Sequence, residues 1–283
     1  MAIKFNGVRV VPCTPTNTNT ATYIDPIGDS KVAMLLHMEG ANNSTTFTNK
    51  SYSPLAVTAN GNAKISTSTS KFGGSSASFD GSNSYLSFTK TSDFIFGSDD
   101  FTIEGWVNFN SLGSYQTIYG QWDIGLDLVN STTMVIGYNA TPGGFAFTVP
   151  TMSTGTWYHF AIVRSSGFIR FYWNGTQRGS AFSAPGMNNS YNSVVIGRSG
   201  PAQSNYYFNG YLDEFRVSKG IARYTSNFTP SATAFPNADG SVELPSTASV
   251  GETVYSSDAA YICTSASPVT WKQFLQTGNS IIP

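Results

Sequence analysis

One stretch constrains the fold more than any other: Gly155 to Gly175, which reads GTWYHFAIVRSSGFIRFYWNG. Tyr158, Phe160 and Ile162 alternate with smaller or polar residues. After Ser165-Ser166-Gly167, Ile169, Phe171 and Trp173 do the same, and Asn174-Gly175 closes the run. Alternation with period two places each apolar set on one face of a strand. β-branched and aromatic residues bounded by Gly, Ser and Asn spell two strands joined by a tight turn. Two apolar half-faces then need a second layer to bury them.

The segments on either side supply more strands. An apolar run spans Val32 to Gly40, and Ala63 to Ser66 reads as an edge strand. Phe72 to Gly81 and Tyr85 to Phe88 flank an Asp80-Gly81 turn. In Phe101 to Phe109, Phe101, Ile103, Val107 and Phe109 share one face, and Thr102, Glu104, Trp106 and Asn108 share the other. Shorter strands are expected around Ile118, Leu126, Val135 and Phe147, at Ser193 to Gly197, and at Tyr211 to Ser218. The one helical candidate, Ser218 to Tyr224, is too short for more than a turn or two. Many short strands separated by turn signals predict an all-β sandwich or barrel.

Composition narrows the function. Charged residues are 11% of the 283, and hydrophobic residues are 40%. The charged share is well below the roughly 25% of an average soluble protein. Ser, Thr, Asn and Gly must therefore wet the surface, a texture typical of extracellular or virion β proteins. The formal net charge is −1 and Lys and Arg form no run, which argues against phosphate-driven nucleic-acid binding. No stretch reaches the roughly 20 apolar residues of a membrane helix. The start, MAIKFNGVRVV, does not read as a signal peptide, so synthesis in a host cytoplasm is expected. Cys13 and Cys263 lie in neither a CxxC pair nor a His-rich metal pattern, and read as isolated thiols.

The ends differ from the middle. Residues 1–31 carry the polar, Pro-containing run Pro12 to Thr20 and read as an extended docking arm. From Phe235 the texture changes again: Pro236 to Gly240 reads as a linker. Residues 237–283 hold short strand signals that suggest a small β module, marginal in isolation at that size.

Four ordered segments, FGGSSASFDGSNSYLSF, FTIEGWVNF, GTWYHFAIVRSSGFIRFYWNG and GYLDEFRVSKGIARYTSNFTP, resemble the laminin G-like branch of the concanavalin A-like lectin/glucanase superfamily over about residues 32–236. The last is similar to segments that end such domains in bacteriophage structural proteins. The C-terminal ELPSTASVGETVYSSDAAYICT resembles terminal modules of phage virion proteins. The resemblance implies a two-sheet antiparallel jelly roll that binds glycans or proteins, often with calcium at its rim. It names no ligand, since one fold hosts many functions.

For catalysis, glucanases of that superfamily carry an E-x-D-x-x-E strand that presents paired carboxylates. Here Glu104 stands alone on its strand, and no enzymatic activity is expected. For calcium, which takes six to eight oxygens, Asp80, Asn83 and Asp213 are candidates, with Asp123 a further one. Glu39 stands where the family often has Asp, and Asp213 also reads as a buried turn-bonding carboxylate. No cofactor is assigned beyond this. For sugar, aromatic faces beside amides and carboxylates are the pattern sought. Gln121-Trp122-Asp123, Tyr138-Asn139, Tyr191 with Asn192, and Asn205-Tyr206 supply it in or beside loops. For Trp122, Tyr191 and Tyr206, packing at a protein interface is an equal reading. Trp106, Trp157 and Trp173 read as core.

The expected protein is a non-enzymatic phage virion subunit: an appendage, fibre or capsid-decorating protein displayed on the particle surface. Its arm would dock on other virion proteins, and its lectin-like domain would attach to host-surface glycan or protein. A homo-oligomer, a trimer by analogy with fibres, is expected. A glycan-degrading enzyme and a purely structural subunit without ligand are the alternatives.

Overall fold

The computed structural model describes residues 29–121, 123–139, 143–187, 193–200 and 206–238, and beyond these the backbone of strands in the two chain ends. The chain divides into two units, Asp29–Asp239 and a second composed of Met1–Gly28 with Gly240–Pro283. In the second unit, β1 (Ile3–Phe5) and β2 (Val8–Val10) pair as an antiparallel hairpin. The remaining strands run in order through β3 (Val32–Leu36), β4 (Thr58–Asn60), β5 (Lys64–Ser66), β6 (Ser76–Asp80) and β7 (Tyr85–Thr89). A 3-10 turn at Ser92–Phe94 precedes β8 (Phe101–Phe109), β9 (Gln116–Gln121), β10 (Ile124–Asn130), β11 (Thr133–Tyr138) and β12 (Phe145–Thr148). β13 (Trp157–Ser165), β14 (Phe168–Trp173), β15 (Thr176–Ser183), β16 (Ser193–Ile196) and β17 (Asn209–Lys219) complete the larger unit. Back in the second unit, β18 (Thr253–Tyr255), β19 (Ala259–Ala266), β20 (Val269–Thr277) and β21 (Ser280–Ile282) form a four-stranded antiparallel sheet. Cys13 lies outside the described residues.

Two sheets make the larger unit. One has the order β12-β11-β10-β9-β16-β7-β4. The other has the order β15-β14-β13-β8-β17-β6-β5, with β3 paired to β17. All pairings are antiparallel, and the sheets stack as a jelly-roll sandwich of the concanavalin A-like type. The hairpin that dominates the sequence is β13–β14, in the register Phe160↔Trp173 and Ile162↔Phe171. Its turn is Ser166-Gly167, with φ of 51° and 83°. Two consecutive positive φ values match strand twist and favour Gly at the second position. Phe160, Ile162, Ile169, Phe171 and Trp173 enter one core with Phe101, Ile103, Val107 and Phe109 of β8 and Leu126, Leu128, Met134 and Ile136 of the facing sheet.

The opposite face of β8 is also buried, although its residues are polar. After β17 the chain takes no helical turn over Ser218–Tyr224. It runs back as an irregular strap, residues 221–238, over the outside of the β8 sheet. Thr102 Oγ1 donates to the Ile221 carbonyl at 3.1 Å and accepts from the Arg223 N–H at 2.9 Å. Phe228 N–H donates to the Gly175 carbonyl at 2.9 Å. Tyr224 and Phe228 stack at 3.5 Å and pack on Ala161, Val163 and Tyr172. Trp106 is buried on this outer face, beneath the Lys71 ammonium, 4.0 Å from the ring centroid, and the Phe72 ring. Its expected place between the sheets is therefore corrected: an outward position became buried because a loop closed over it. Trp173 lies in the core, and Trp157 is half-buried.

Candidate functional site: the outer face of the seven-stranded sheet

The two outer faces of the sandwich differ. On β10, Ile124, Leu126 and Leu128 enter the core, so Gly125 and Asp127 point the other way. On β11, Met134 and Ile136 are core and Gly137 points outward. The register aligns these outward positions across neighbouring strands: Gly137 faces Gly125, Gly125 faces Gly120, and Gly120 faces Val195. Three adjacent strands thus present a row without side chains. Among the described residues, a Cβ at Gly137 would come no closer than 3.9 Å to a neighbouring atom, the Gly125 nitrogen, and one at Gly125 would meet only the Tyr119 carbonyl oxygen at 3.2 Å. At Gly120 the backbone of 198–200 crosses the row: the Arg198 oxygen and Gly200 nitrogen would lie 2.7 and 2.9 Å from such a Cβ. The row is therefore a trough, open at Gly125 and Gly137 and walled at Gly120.

Asp127 stands beside this trough, one outward position along β10 from Gly125. Thr117 Oγ1 donates to its Oδ1 at 2.6 Å, and the Tyr115 hydroxyl donates to its Oδ2 at 3.3 Å. Burial pushes the Asp127 carboxyl up to about 6, although both hydroxyls pull it down. Tyr206, 37% exposed, lies against Tyr115 with ring centroids 4.6 Å apart. The Thr117 N–H donates to the Tyr206 carbonyl at 3.2 Å, which fixes that loop to β9. On the far side of the 198–200 crossing, the Arg198 guanidinium sits 4.5 Å over the Tyr85 ring. A carboxylate holds more lone pairs than two hydroxyls fill, so Asp127 retains acceptor capacity toward a ligand in the trough. Exposed aromatic faces beside it are the complement of a sugar's C–H face.

The residues singled out from the sequence fall in two places. Gln121, Asp123, Tyr138 and Asn139 are brought together at one rim of the sheet, where Gln121 pairs with Ile124 and Ile124 with Tyr138. Gln121 is buried: its Nε2 donates to the Phe94 carbonyl at 2.7 Å, and its Oε1 accepts from the Tyr119 hydroxyl at 2.9 Å. Asp123 is fully buried with Lys90 Nζ 3.9 Å away. Tyr138 is a core residue whose hydroxyl donates to the Gly186 carbonyl, and Asn139 Nδ2 donates to the same oxygen at 2.8 Å. These four hold the rim together. Trp122, Tyr191 and Asn205 lie outside the described residues. Tyr206 alone reaches the trough. Asp127 and Gly125 had a signal in the alternation Ile124-Gly125-Leu126-Asp127-Leu128, which puts Gly and Asp opposite the apolar residues, whereas Tyr115, Thr117 and Gly137 join them only through the register of neighbouring strands.

The calcium candidates Asp80, Asn83 and Asp213 are engaged by N–H donors of the fold. Asp80 Oδ1 accepts from the N–H groups of Ser82, Asn83 and Ser84 at 2.9, 3.1 and 3.2 Å, and Oδ2 accepts from the Asn62 amide at 2.9 Å. Burial raises this carboxyl, but those N–H groups outweigh it and hold it far below the usual range. Both of its oxygens accept hydrogen bonds from the fold. Asn83 Oδ1 accepts from the Asn62 N–H at 3.2 Å. Asp213 Oδ2 accepts from the N–H groups of Lys71 and Phe72 at 2.7 and 3.1 Å. Asp80 pairs with Asn209, so Asp213 lies four residues, about 13 Å, further along β17. Among the described residues no group of three or more His, Cys, Asp or Glu is arranged to hold a metal.

Glu104 is committed to the fold. Its carboxylate takes Arg216 on one oxygen and the Tyr224 hydroxyl, at 2.8 Å, on the other, and His159 Nε2 lies 3.5 Å away. Burial alone would raise its carboxyl, but Arg216 and His159 hold it well below the ordinary range. A bulge in β17 sets Glu214 at φ 49°. It turns that carboxylate outward to His37 Nδ1, at 2.7 Å, and to the N–H of Phe235, also at 2.7 Å.

A family model described as the concanavalin A-like lectin/glucanases superfamily matches residues 80–222, about half of the chain. No curated protein matches by sequence. Among solved structures, domain 4 of an extracellular arabinanase from Geobacillus stearothermophilus, in complex with arabinotriose, is 19% identical; 68% of this chain and 95% of that chain are covered, with a TM-score of 0.48. The binding domain of botulinum neurotoxin serotype G is 12% identical over 70% of this chain and 48% of that chain, with a TM-score of 0.50. The binding domain of Paraclostridial Mosquitocidal Protein 1 is 16% identical over 89% of this chain and 67% of that chain, with a TM-score of 0.51. At such identities the likeness is one of fold.

Proposed function

The chain belongs to the concanavalin A-like lectin/glucanase superfamily, and from that premise we propose that it is a non-catalytic binding subunit of a bacteriophage particle that engages host-surface glycan through the trough beside Asp127. The carrying observation is the contrast between the two outer faces. One is closed by the strap, while the other keeps Gly125 and Gly137 bare next to a carboxylate and two tyrosines. Sugar-binding surfaces need an acceptor beside an apolar platform, and both are present. The likeness to two toxin binding domains accords with an attachment role.

A binding role rather than hydrolysis is favoured by the carboxylate arrangement. Glycosidases use two carboxyl groups roughly 5–9.5 Å apart. Among the described residues, Asp127 is the one acid among the outward positions of the seven strands, and Glu104 is consumed by its ion pair. The low charge and the Ser, Thr and Asn surface suit display on a particle. In this reading residues 1–31 dock the subunit, a trimer, on other virion proteins at the virion surface.

A glycan array tests the ligand reading. Wild type should bind a defined subset, and Gly137→Thr, which fills the trough, should abolish that binding while the fold survives. Loss of residues 1–31 should release the subunit from particles. A wild type that binds no glycan would leave the trough without a role and favour a purely structural subunit.

A further inference from the structure

A second concave site lies away from the trough, at the end of the sandwich where β3 begins and β17 ends. It is a cleft of about 460 Å³ lined by Ser30, Lys31, Tyr52, Asp93, Asp99 and Lys219, among others. That volume falls within the roughly 300–1,000 Å³ of small-ligand sites. Its floor is Gly220, at φ 75°, where a Cβ would stand 3.3 Å from the Lys31 Nζ. The glycine thus leaves the ammonium lying over bare backbone. The floor is anchored by the N–H of Lys219 on the Lys31 carbonyl at 2.8 Å and the N–H of Gly220 on the Asp100 carbonyl at 2.6 Å.

The charges in the cleft are unequally committed. Lys219 donates to the Ser92 carbonyl at 2.9 Å and pairs with Asp99 at 3.7 Å. Asp93 accepts from the Thr91 hydroxyl at 3.4 Å. The Lys31 ammonium makes no hydrogen bond or ion pair with a described residue, and the Tyr52 side chain, 51% exposed, likewise has no partner among them. Lys31 is thus a solvent-exposed cation with no partner among the described residues, in the same cleft as the aromatic side chain of Tyr52. Ser30, Ser53 and the Asp93 carboxylate surround them with hydroxyl and acceptor groups.

We propose that this cleft is a second binding site, specific for a carboxylate-bearing sugar of the uronic acid class. The sugar carboxylate pairs with Lys31, its ring face lies on Tyr52, and its hydroxyls donate to Asp93. A neutral sugar would satisfy Tyr52 and Asp93 but leave Lys31 unmatched. The two sites together would let one chain hold a heteropolymer with neutral and acidic residues.

The full chain is titrated by saturation-transfer NMR with a galacturonate disaccharide and, in parallel, with a neutral hexose disaccharide. Wild type should bind the galacturonate probe in preference to the neutral one. Lys31→Gln and Tyr52→Ala, both at exposed positions, should each weaken it by about tenfold or more. Raising the salt concentration should weaken wild type but not Lys31→Gln. Asp127→Asn, which alters only the trough, should leave uronate binding unchanged. Absence of galacturonate binding by wild type, equal binding of the two probes once the trough is filled by Gly137→Thr, or full retention in both cleft variants would each overturn the assignment. Because Asp127→Asn reads the trough separately, failure at one site is distinguishable from failure at the other.

Discussion

Glu104 Oε1 accepts from both Nε and Nη2 of Arg216, at 2.9 and 2.7 Å, across neighbouring strands of the β8 sheet, and both residues are buried. The pair lies on what would be the solvent face of the sheet, were the strap not there. Phe235 of the strap lies 3.8 Å from the Arg216 guanidinium, and Tyr224 donates to the other Glu104 oxygen. The ion pair is thus sealed by the segment that follows the sheet in sequence.

Breaking one side of this pair strands a buried charge. Glu104→Gln should destabilise by about 3–5 kcal/mol, because Arg216 keeps its desolvation cost and loses its partner. The double variant Glu104→Gln/Arg216→Met should lose less than the sum of Glu104→Gln and Arg216→Met, with a coupling of about 1–3 kcal/mol. Urea denaturation of the four proteins measures this; strictly additive losses would refute the pairing argument.

Asp213 predicts a pH slope. Burial first, then the neighbouring Glu214 and Glu39, push its carboxyl from 3.8 up to about 7, against the pull of the Phe72 and Lys71 N–H groups. The folded state therefore binds this proton more tightly than the unfolded state. The stability this contributes is complete below the unfolded value and is lost as pH rises through about 7. Asp213→Asn, which keeps an acceptor for both N–H groups, should be more stable than wild type above neutrality. The two melting temperatures should converge near the unfolded value of 3.8. A difference that does not vary with pH would contradict this.

Gly175 holds the strap. Its φ is 75°, and a Cβ there would lie 1.9 Å from the Phe228 carbonyl oxygen. Gly175→Ala should cost about 1–3 kcal/mol or more, from backbone strain plus displacement of the strap. Limited proteolysis should cut within residues 221–238 sooner than in wild type. An unchanged melting temperature would show that the strap is not needed for the sandwich.

The trough should be pH-sensitive. With the Asp127 carboxyl pushed up to about 6 by burial, ligand hydroxyls meet a carboxylate above that value and a neutral acid below it. Glycan affinity should fall roughly three- to tenfold as pH drops through 6, the size expected when charge-assisted hydrogen bonds become neutral ones. Asp127→Asn should flatten the profile, as titration calorimetry would show.

Gly137→Thr separates stability from binding. The position is the last but one of β11, outside the positive-φ glycines, and among the described residues a Cβ there would meet only the Gly125 nitrogen, at 3.9 Å. A β-branched residue favours the strand by up to about 1 kcal/mol over Gly. The variant should melt no lower than wild type and yet lose glycan binding, a combination that unfolding cannot produce.

Much of the sandwich was legible in the chain itself. Alternation in Trp157–Trp173 and Phe101–Phe109 named the core residues, and the Gly and Asn positions marked the turns, because a strand's period and a turn's φ are local properties. Alternation also says that every strand has a second face, but not what that face meets. Thr102, Glu104, Trp106 and Asn108 look like a solvent face, and all four are buried. Gly125, Asp127 and Gly137 look like gaps in strands, and they form an open trough. Only the tertiary structure distinguishes the two cases, because covering one sheet depends on where residues 221–238 return and where the loop of Lys71 and Phe72 lies. That return depends on contacts such as Tyr224 with Glu104, across 120 residues of chain. The sequence by itself determined which residues face inward. Long-range packing decided which outward residues remain free to bind.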